Sequence, residues 1–186
     1  GKPRVVVEGG HGPSPDCGLG FLAGLLGVAE SDVSGEGLGP ALTRAEDMLG
    51  ASGTDLVCAA STPRPLLGLD SVLAVRPDLD PIEEQDTELT GALTQAFAHR
   101  PLRRRQLLGG QAAHPARAFG SGAGGGVGAI IAAIGGRIAP TADFLADLLN
   151  VDDALKDADL LVVVEPELAS PLLATSTLDA LTRAAG

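Results

Sequence analysis

The stretch FGSGAGGGVGAIIAAIGG, residues 119–136, decides how the rest of the chain is interpreted. Its first half is a loop made mostly of glycine, and its second half, Val127–Ile134, is an uncharged apolar segment that predicts a buried helix. Glycine has no Cβ, so such a loop can adopt positive φ and bring backbone N–H groups close to a ligand. The start of a helix also favours an anion such as phosphate or carboxylate. Tight packing of a small-residue helix against a sheet produces the same pattern, and the sequence leaves both interpretations open.

The composition describes an acidic chain of 186 residues with a net charge of −11. We expect one domain over residues 1–186, or a piece of a longer two-domain chain. The only lysines are Lys2 and Lys156, and nucleic-acid binding needs clustered cations, so no nucleic-acid partner is expected. No apolar run has the length of a membrane helix and no signal-peptide pattern is present, which predicts a cytoplasmic protein with no membrane partner.

The residue types available for the core are small and aliphatic, since the chain has four Phe and no Trp or Tyr. Two cysteines, Cys17 and Cys58, are too few for a disulfide framework or a CxxC metal site. We expect both to be small core residues in a reducing interior. The one basic cluster, residues 100–105, is interpreted as a solvated loop, with an anion contact as the alternative.

The hydrophobic pattern predicts the α/β class with a largely parallel sheet. Three apolar runs are typical of buried strands: Arg4–Glu8, Thr54–Ala60 and Asp159–Val164. Helical patterns separate and follow them, and Ala29–Gly39 reads as irregular. The predicted helices are Cys17–Gly27, Pro40–Leu49, Asp80–His99, Val127–Ile134, Pro140–Leu149, Val151–Ala158 and Thr175–Ala185.

Three loops occur in an order that resembles the bacterial glycerate kinases of the glycerate 2-kinase type. They are VEGGHGPSPDCGLGFL (7–22), GSGAGGGVGA (120–129) and LKDADLLVVVEPEL (155–168). They resemble the family's GGSATNDGG, GAGAAGGLG and ADLVITGEGRLD segments. Between them, STPRPLLG (61–68) is similar to the family's DVxNPLLG loop. The resemblance covers nearly the whole chain but only the central part of a family member.

The resemblance implies a glycerate kinase-like fold and ATP-dependent phosphoryl transfer to glycerate or a similar hydroxy acid, with Mg²⁺. On the matching positions, the implied catalytic residues are Asp16 and Glu165. The implied substrate- or phosphate-binding residues lie in the first loop and the glycine stretch: Gly10, His11, Ser14, Gly122, Gly124, Gly125 and Gly126. No residues are assigned as metal ligands.

The chain departs from the family pattern at positions that carry charge. The family Asp of the middle loop falls on Ser61, and its Asn falls on Arg64. In the last loop the family Arg becomes Glu167 and an Asp becomes Ala169. Because phosphoryl transfer depends on positioned charges, these changes predict an impaired or inactive kinase.

Two hypotheses therefore stay open for function. In the first, the chain is a kinase that uses ATP and Mg²⁺. In the second, it is a non-catalytic descendant without a cofactor that binds a metabolite or a partner protein. Asp16 is equally typical of a helix cap, Glu165 of a solvated strand end, and His11 and Ser14 of ordinary loop residues. The expected ligand is a small hydroxy acid or anion, and the sequence is compatible with a homo-oligomer.

Overall fold

A computed structural model describes residues 3–10, 16–73, 83–98, 100, 114–164 and 177–185. These ranges contain the predicted strands and most of the predicted helices. Among the predicted site residues, His11, Ser14 and Glu165 lie outside the described residues, as do Asp80 and Thr175, the first residues of two predicted helices.

The sheet has three parallel strands in the order β1-β2-β3. Strand β1 is Arg4–Gly9, β2 is Asp55–Ala60 and β3 is Arg137–Pro140. Helices connect and flank the strands, which confirms the predicted α/β class with a parallel sheet. The helices are α1 (Leu19–Leu26), α2 (Leu38–Ser52), α3 (Glu83–Ala98), α4 (Val127–Ala133), α5 (Thr141–Leu148), α6 (Val151–Leu155) and α7 (Thr177–Ala185).

Strand β2 is buried on both faces. Alternate side chains of a strand point to opposite sides, and each set in β2 packs in a different cluster. Leu56 and Cys58 belong to the main core cluster. Helices α1, α2 and α4 contribute the apolar side chains of that cluster, including Leu22, Leu42 and Ile130. On the other face, Val57 and Ala59 pack with Phe144 of α5. Both cysteines are buried in the core, as the sequence predicted.

The predicted strand Asp159–Val164 is wrong. The segment forms no strand, and Leu160, Val162 and Val164 are 79%, 72% and 88% exposed. A β-branched run becomes a strand only where a neighbouring strand accepts its N–H groups, and no described strand lies beside it. The third strand is instead β3, a short piece whose Pro140 was assigned to the following helix.

Two smaller expectations also change. The segment 29–39, expected to be irregular, contains the 3₁₀ turns Glu30–Val33 and Gly35–Gly37. Arg100, the described member of the basic cluster, is not a solvated side chain. Its guanidinium donates to Glu46 Oε2 at 3.0 Å and to the Thr43 hydroxyl, so it ties the end of α3 to α2. Within the described part of the chain, no helix combines the length and apolar character needed to cross a membrane.

Candidate active site at the carboxyl edge of the sheet

The glycine stretch, residues 119–136, joins the loops that follow β1 and β2. The Gly124 N–H donates to the carbonyl of Gly10 beyond the end of β1, with an N···O distance of 3.0 Å. The N–H groups of Gly120 and Gly122 donate to the carbonyls of Pro63 and Arg64 after β2, both at 3.0 Å. In an open α/β sheet, ligands bind outside the carboxyl ends of the strands. The structure therefore brings Gly10 and the glycine stretch together at the expected edge.

The glycines of this stretch allow backbone segments to touch. A Cβ on Gly126 would lie 2.4 Å from the carbonyl oxygen of Cys17, and a Cβ on Gly18 would lie 2.9 Å from the Gly126 carbonyl carbon. At Gly9 an added Cβ would lie 2.8 Å from the Cβ of Ala123. A side chain at any of these positions would push the first loop away from the glycine stretch. Close packing thus accounts for much of the glycine content.

This packing restricts the phosphate-binding interpretation. The N–H groups of Gly122 and Gly124 already donate to backbone carbonyls, so neither is available to a phosphate in this arrangement. Gly125 and Gly126 have φ of 67° and 117°, which glycine adopts readily. Phosphate contact by these two residues stays a prediction. Helix α4, which follows them, has only seven residues.

Asp16 has a structural role that the geometry explains. Its Oδ1 accepts a hydrogen bond from the Gly18 N–H at 3.2 Å, and its Oδ2 accepts one from the Gly20 N–H at 2.8 Å. The carboxylate therefore satisfies N–H groups at the start of α1, as a helix cap does. A catalytic role for Asp16 stays a prediction.

A cluster of three polar side chains lies at the carboxyl ends of the strands, one from each. Ser61 Oγ, directly after β2, donates to Glu8 Oε1 of β1 at 3.1 Å. The same Ser61 hydroxyl is 3.2 Å from Oγ1 of Thr141, the first residue after β3. Glu8 is exposed, whereas Ser61 and Thr141 are half-buried. The cluster of Glu8, Ser61 and Thr141 adjoins the first loop, because a Cβ on Gly10 would lie 3.9 Å from Glu8 Oε2.

Cys58 is buried in the strand next to this cluster, and its thiol is unreactive near neutral pH. Burial, together with the negative charge of Glu8, raises the pKa of its thiol to about 11. A thiol with this pKa is almost fully protonated near neutral pH, and the thiolate is the reactive form. Cys58 therefore acts as a core residue beside the site.

The sequence indicated only part of this cluster. Ser61 stood out as the position of a family Asp, but Glu8 and Thr141 were not singled out. The sequence did carry a usable signal for Glu8, because this charged residue directly follows the valine run of β1. Thr141 could not be found in that way because β3 itself was missed. His11, Ser14 and Glu165 lie in the undescribed part of the chain, so their predicted roles are neither supported nor contradicted.

The opposite, amino edge of the sheet carries ionic contacts. Asp55 at the start of β2 accepts from Arg137 Nε at 3.1 Å and from Arg4 Nε at 2.7 Å. These hydrogen bonds, that of Arg137 first, hold the pKa of Asp55 below its ordinary value. A groove of about 900 Å³ opens beside them, lined by residues that include Thr54 and Gly135. The groove is therefore at the wrong end of the strands to be part of the predicted site.

Near the glycine stretch, several described groups that could meet a nucleotide or Mg²⁺ are engaged within the protein. Among the residues that the structure describes, no group of three or more His, Cys, Asp or Glu side chains could hold a metal ion. Mg²⁺ in phosphoryl transfer is usually held by one or two carboxylates and the phosphates. The carboxylate of Asp16 instead accepts backbone N–H groups, and the amides of Gly122 and Gly124 donate within the protein.

The fold and the edge cluster together define an α/β protein with a cluster of polar side chains at the carboxyl ends of a parallel sheet. The chain belongs to the glycerate kinase family: the model of that family matches residues 1–170. The family resemblance noted in the sequence is thereby confirmed, and membership implies kinase-like function in general terms. Comparison with curated proteins and with solved structures finds no match.

Proposed function

We propose that this glycerate kinase family member binds a small hydroxy acid, or a similar small anion, at the carboxyl edge of its sheet. We further propose that it transfers phosphate from ATP to that ligand slowly. The observation that carries the proposal is the cluster of Glu8, Ser61 and Thr141, which gathers a polar group from the end of each strand. Family membership supports the class of reaction, and the cluster supports the position of the ligand site.

The chemistry of the cluster suits a ligand with hydroxyl groups. The Ser61 and Thr141 hydroxyls can each donate and accept a hydrogen bond, whereas ionised Glu8 only accepts. In this proposal Glu8 accepts a hydrogen bond from the ligand hydroxyl and takes its proton. The ligand oxygen would then form a bond to the γ-phosphorus of ATP as the bond from that phosphorus to ADP breaks and ADP leaves. The ligand carboxylate would be repelled by Glu8, so we expect it on the side of the cluster away from Glu8.

In this proposal the low rate follows from the charges that the described part of the site lacks. Phosphoryl transfer depends on positioned cations and metal-holding carboxylates rather than on covalent chemistry. The removal of one preorganised contact of this kind typically lowers the rate by about 10²- to 10³-fold. The amides of Gly122 and Gly124 and the carboxylate of Asp16 are engaged inside the protein. The same observation favours a second candidate function, binding of the hydroxy acid without catalysis.

Binding is tested by calorimetric titration of D-glycerate into the wild-type chain and variants. We expect Glu8→Gln and Ser61→Ala to weaken binding by about 10- to 100-fold, because the first removes the charged acceptor and the second removes a hydroxyl of the cluster. Glu36→Gln is the matched control, since Glu36 is also exposed but lies in a 3₁₀ turn distant in sequence from the strand ends. Equal affinity of all four proteins would contradict the proposed site.

Catalysis is tested separately by ADP formation with D-glycerate, ATP and Mg²⁺ at high protein concentration. Asp16→Asn is informative because it removes the charge and keeps one acceptor oxygen, so one of the two hydrogen bonds at the start of α1 is retained. Turnover that this variant abolishes would support Asp16 as a catalytic residue. Binding without any turnover in the wild type would leave the non-catalytic function and exclude the kinase.

A further inference from the structure

Strand β1 is at the edge of the described sheet, and neither of its faces is fully covered. Val5 and Val6 are adjacent residues of β1 and point to opposite faces of the sheet. Their side chains are nevertheless 48% and 44% exposed. An edge strand presents unpaired N–H and C=O groups to any extended chain that approaches it. The other edge strand, β3, has only four residues and ends in Pro140, which has no N–H to donate. Strand β1 has neither of these protections.

The hydrogen bonds to β2 show which residues of β1 face outward. The N–H groups of Asp55 and Ser61 donate to the carbonyls of Pro3 and Gly9, at 2.9 and 3.0 Å. Successive residues of a strand turn their N–H and C=O groups to opposite edges. The odd-numbered residues of β1 therefore face β2, and Arg4, Val6 and Glu8 direct their backbone groups away from the sheet.

We propose that β1 pairs antiparallel with β1 of a second copy of this chain, about a two-fold axis at Val6. In this register Arg4 of each copy lies opposite Glu8 of the other, and the two Val6 residues lie opposite each other. All of these are the outward-facing positions, so each opposed pair exchanges both of its N–H···O=C bonds. The same surface of both copies is used, as a two-fold interface requires.

Charge selects this partner and this register. Directly opposite side chains lie on the same face with Cβ atoms about 4.5–5.5 Å apart, where opposite charges attract and like charges repel. Arg4 is the cation and Glu8 the anion of β1, equally distant from Val6 along the strand. Within one copy Arg4 also donates to Asp55 and Glu8 accepts from Ser61, so the pairing adds to these contacts. A shift of register by two residues would remove both charge pairs. The result is one sheet of six strands that is continuous through both copies.

The test is sedimentation equilibrium of the whole chain over a range of concentrations. We expect the wild type to approach twice the 18.6 kDa mass of one chain as concentration rises. Val6→Lys places two cations opposite each other and should remain a monomer. Met48→Lys, at a side chain of similar exposure (41%) on α2, is the matched control and should still dimerise.

A charge exchange gives a second, independent test. Arg4→Glu alone and Glu8→Arg alone each place like charges opposite and should weaken the dimer, whereas the double variant should restore it. Hydrogen exchange should show that the Val6 amide becomes protected with rising concentration, while the inward-facing Val7 amide does not change. A wild type that stays monomeric overturns the proposal. A dimer that survives Val6→Lys with the Val6 amide unprotected overturns it as well, because another surface then forms the contact.

Discussion

Replacement of Gly126 by alanine is the sharpest test of the packing assigned to the glycine stretch. Two costs add at this position. The φ of 117° is unfavourable for any residue with a Cβ, which costs about 1–2 kcal/mol. The new Cβ would also lie 2.4 Å from the Cys17 carbonyl oxygen, and displacement of packed backbone costs about 1–3 kcal/mol more. We therefore expect Gly126→Ala to lower the free energy of unfolding by about 2–5 kcal/mol.

Two other glycines separate these costs. Gly27 has a φ of 65° and no atom within 4 Å of its Cβ position, so Gly27→Ala carries backbone strain without a clash. Gly24 lies inside α1 with open space around it, and Gly24→Ala should raise stability by about 0.5–1 kcal/mol. The expected order of stability is therefore Gly24→Ala, wild type, Gly27→Ala and then Gly126→Ala.

Urea unfolding followed by circular dichroism measures this order. With a slope of about 2 kcal/mol per molar urea, the Gly126→Ala midpoint should fall by about 1–2.5 M. A Gly126→Ala protein that loses no more stability than Gly27→Ala would show that the contact with Cys17 does not hold the first loop. The glycines would then need another explanation, and phosphate contact by Gly126 would regain support.

The remaining predictions concern pH. Burial, and then the charge of Glu8, raises the pKa of Cys58 to about 11 from 9.0. Its contribution to stability is therefore complete below pH 9.0 and is lost as pH rises toward 11, and a Cys58→Ala control should lack this loss. A thiol reagent at pH 8 should label Cys58 only at the rate of unfolding. Hydrogen bonds from Arg137 and Arg4 lower the pKa of Asp55 below 3.8. Its contribution is present above pH 3.8 and falls as pH drops through the folded-state pKa. Unfolding curves of wild type and Asp55→Asn should thus converge in acid, and a constant difference would contradict the ionic role.

The strands illustrate how far local sequence can decide structure. Runs of branched and small apolar residues located β1 and β2 to within one residue at either end. The run at 159–164 has the same character, yet it is exposed and unpaired among the described residues. Strand pairing joins residues that are distant in sequence, so the run alone does not show whether a partner strand lies beside it. The short β3 was missed because Arg137 and Pro140 suggest a loop when they are considered without their neighbour β2.

The candidate site shows the same limit at the level of side chains. The glycine stretch and Gly10 could be recognised from local composition, and they do meet. The bond between Ser61 and Glu8 spans 53 residues, and the contact between Ser61 and Thr141 spans 80. Contacts between residues this far apart in sequence are set by the order and register of the strands. Local composition therefore could not reveal that these three side chains form one cluster.

The sequence by itself determined the α/β class, the family, most of the helices and the need for glycine between residues 119 and 136. These properties depend on local conformational preference and on the spacing of apolar residues, which neighbouring residues specify. Only the tertiary structure decided which third segment joins the sheet, that Gly122 and Gly124 donate to carbonyls of other loops, and that Glu8, Ser61 and Thr141 share one edge. Each of those outcomes is a contact between distant parts of the chain, and its energy exists only once the strands have paired.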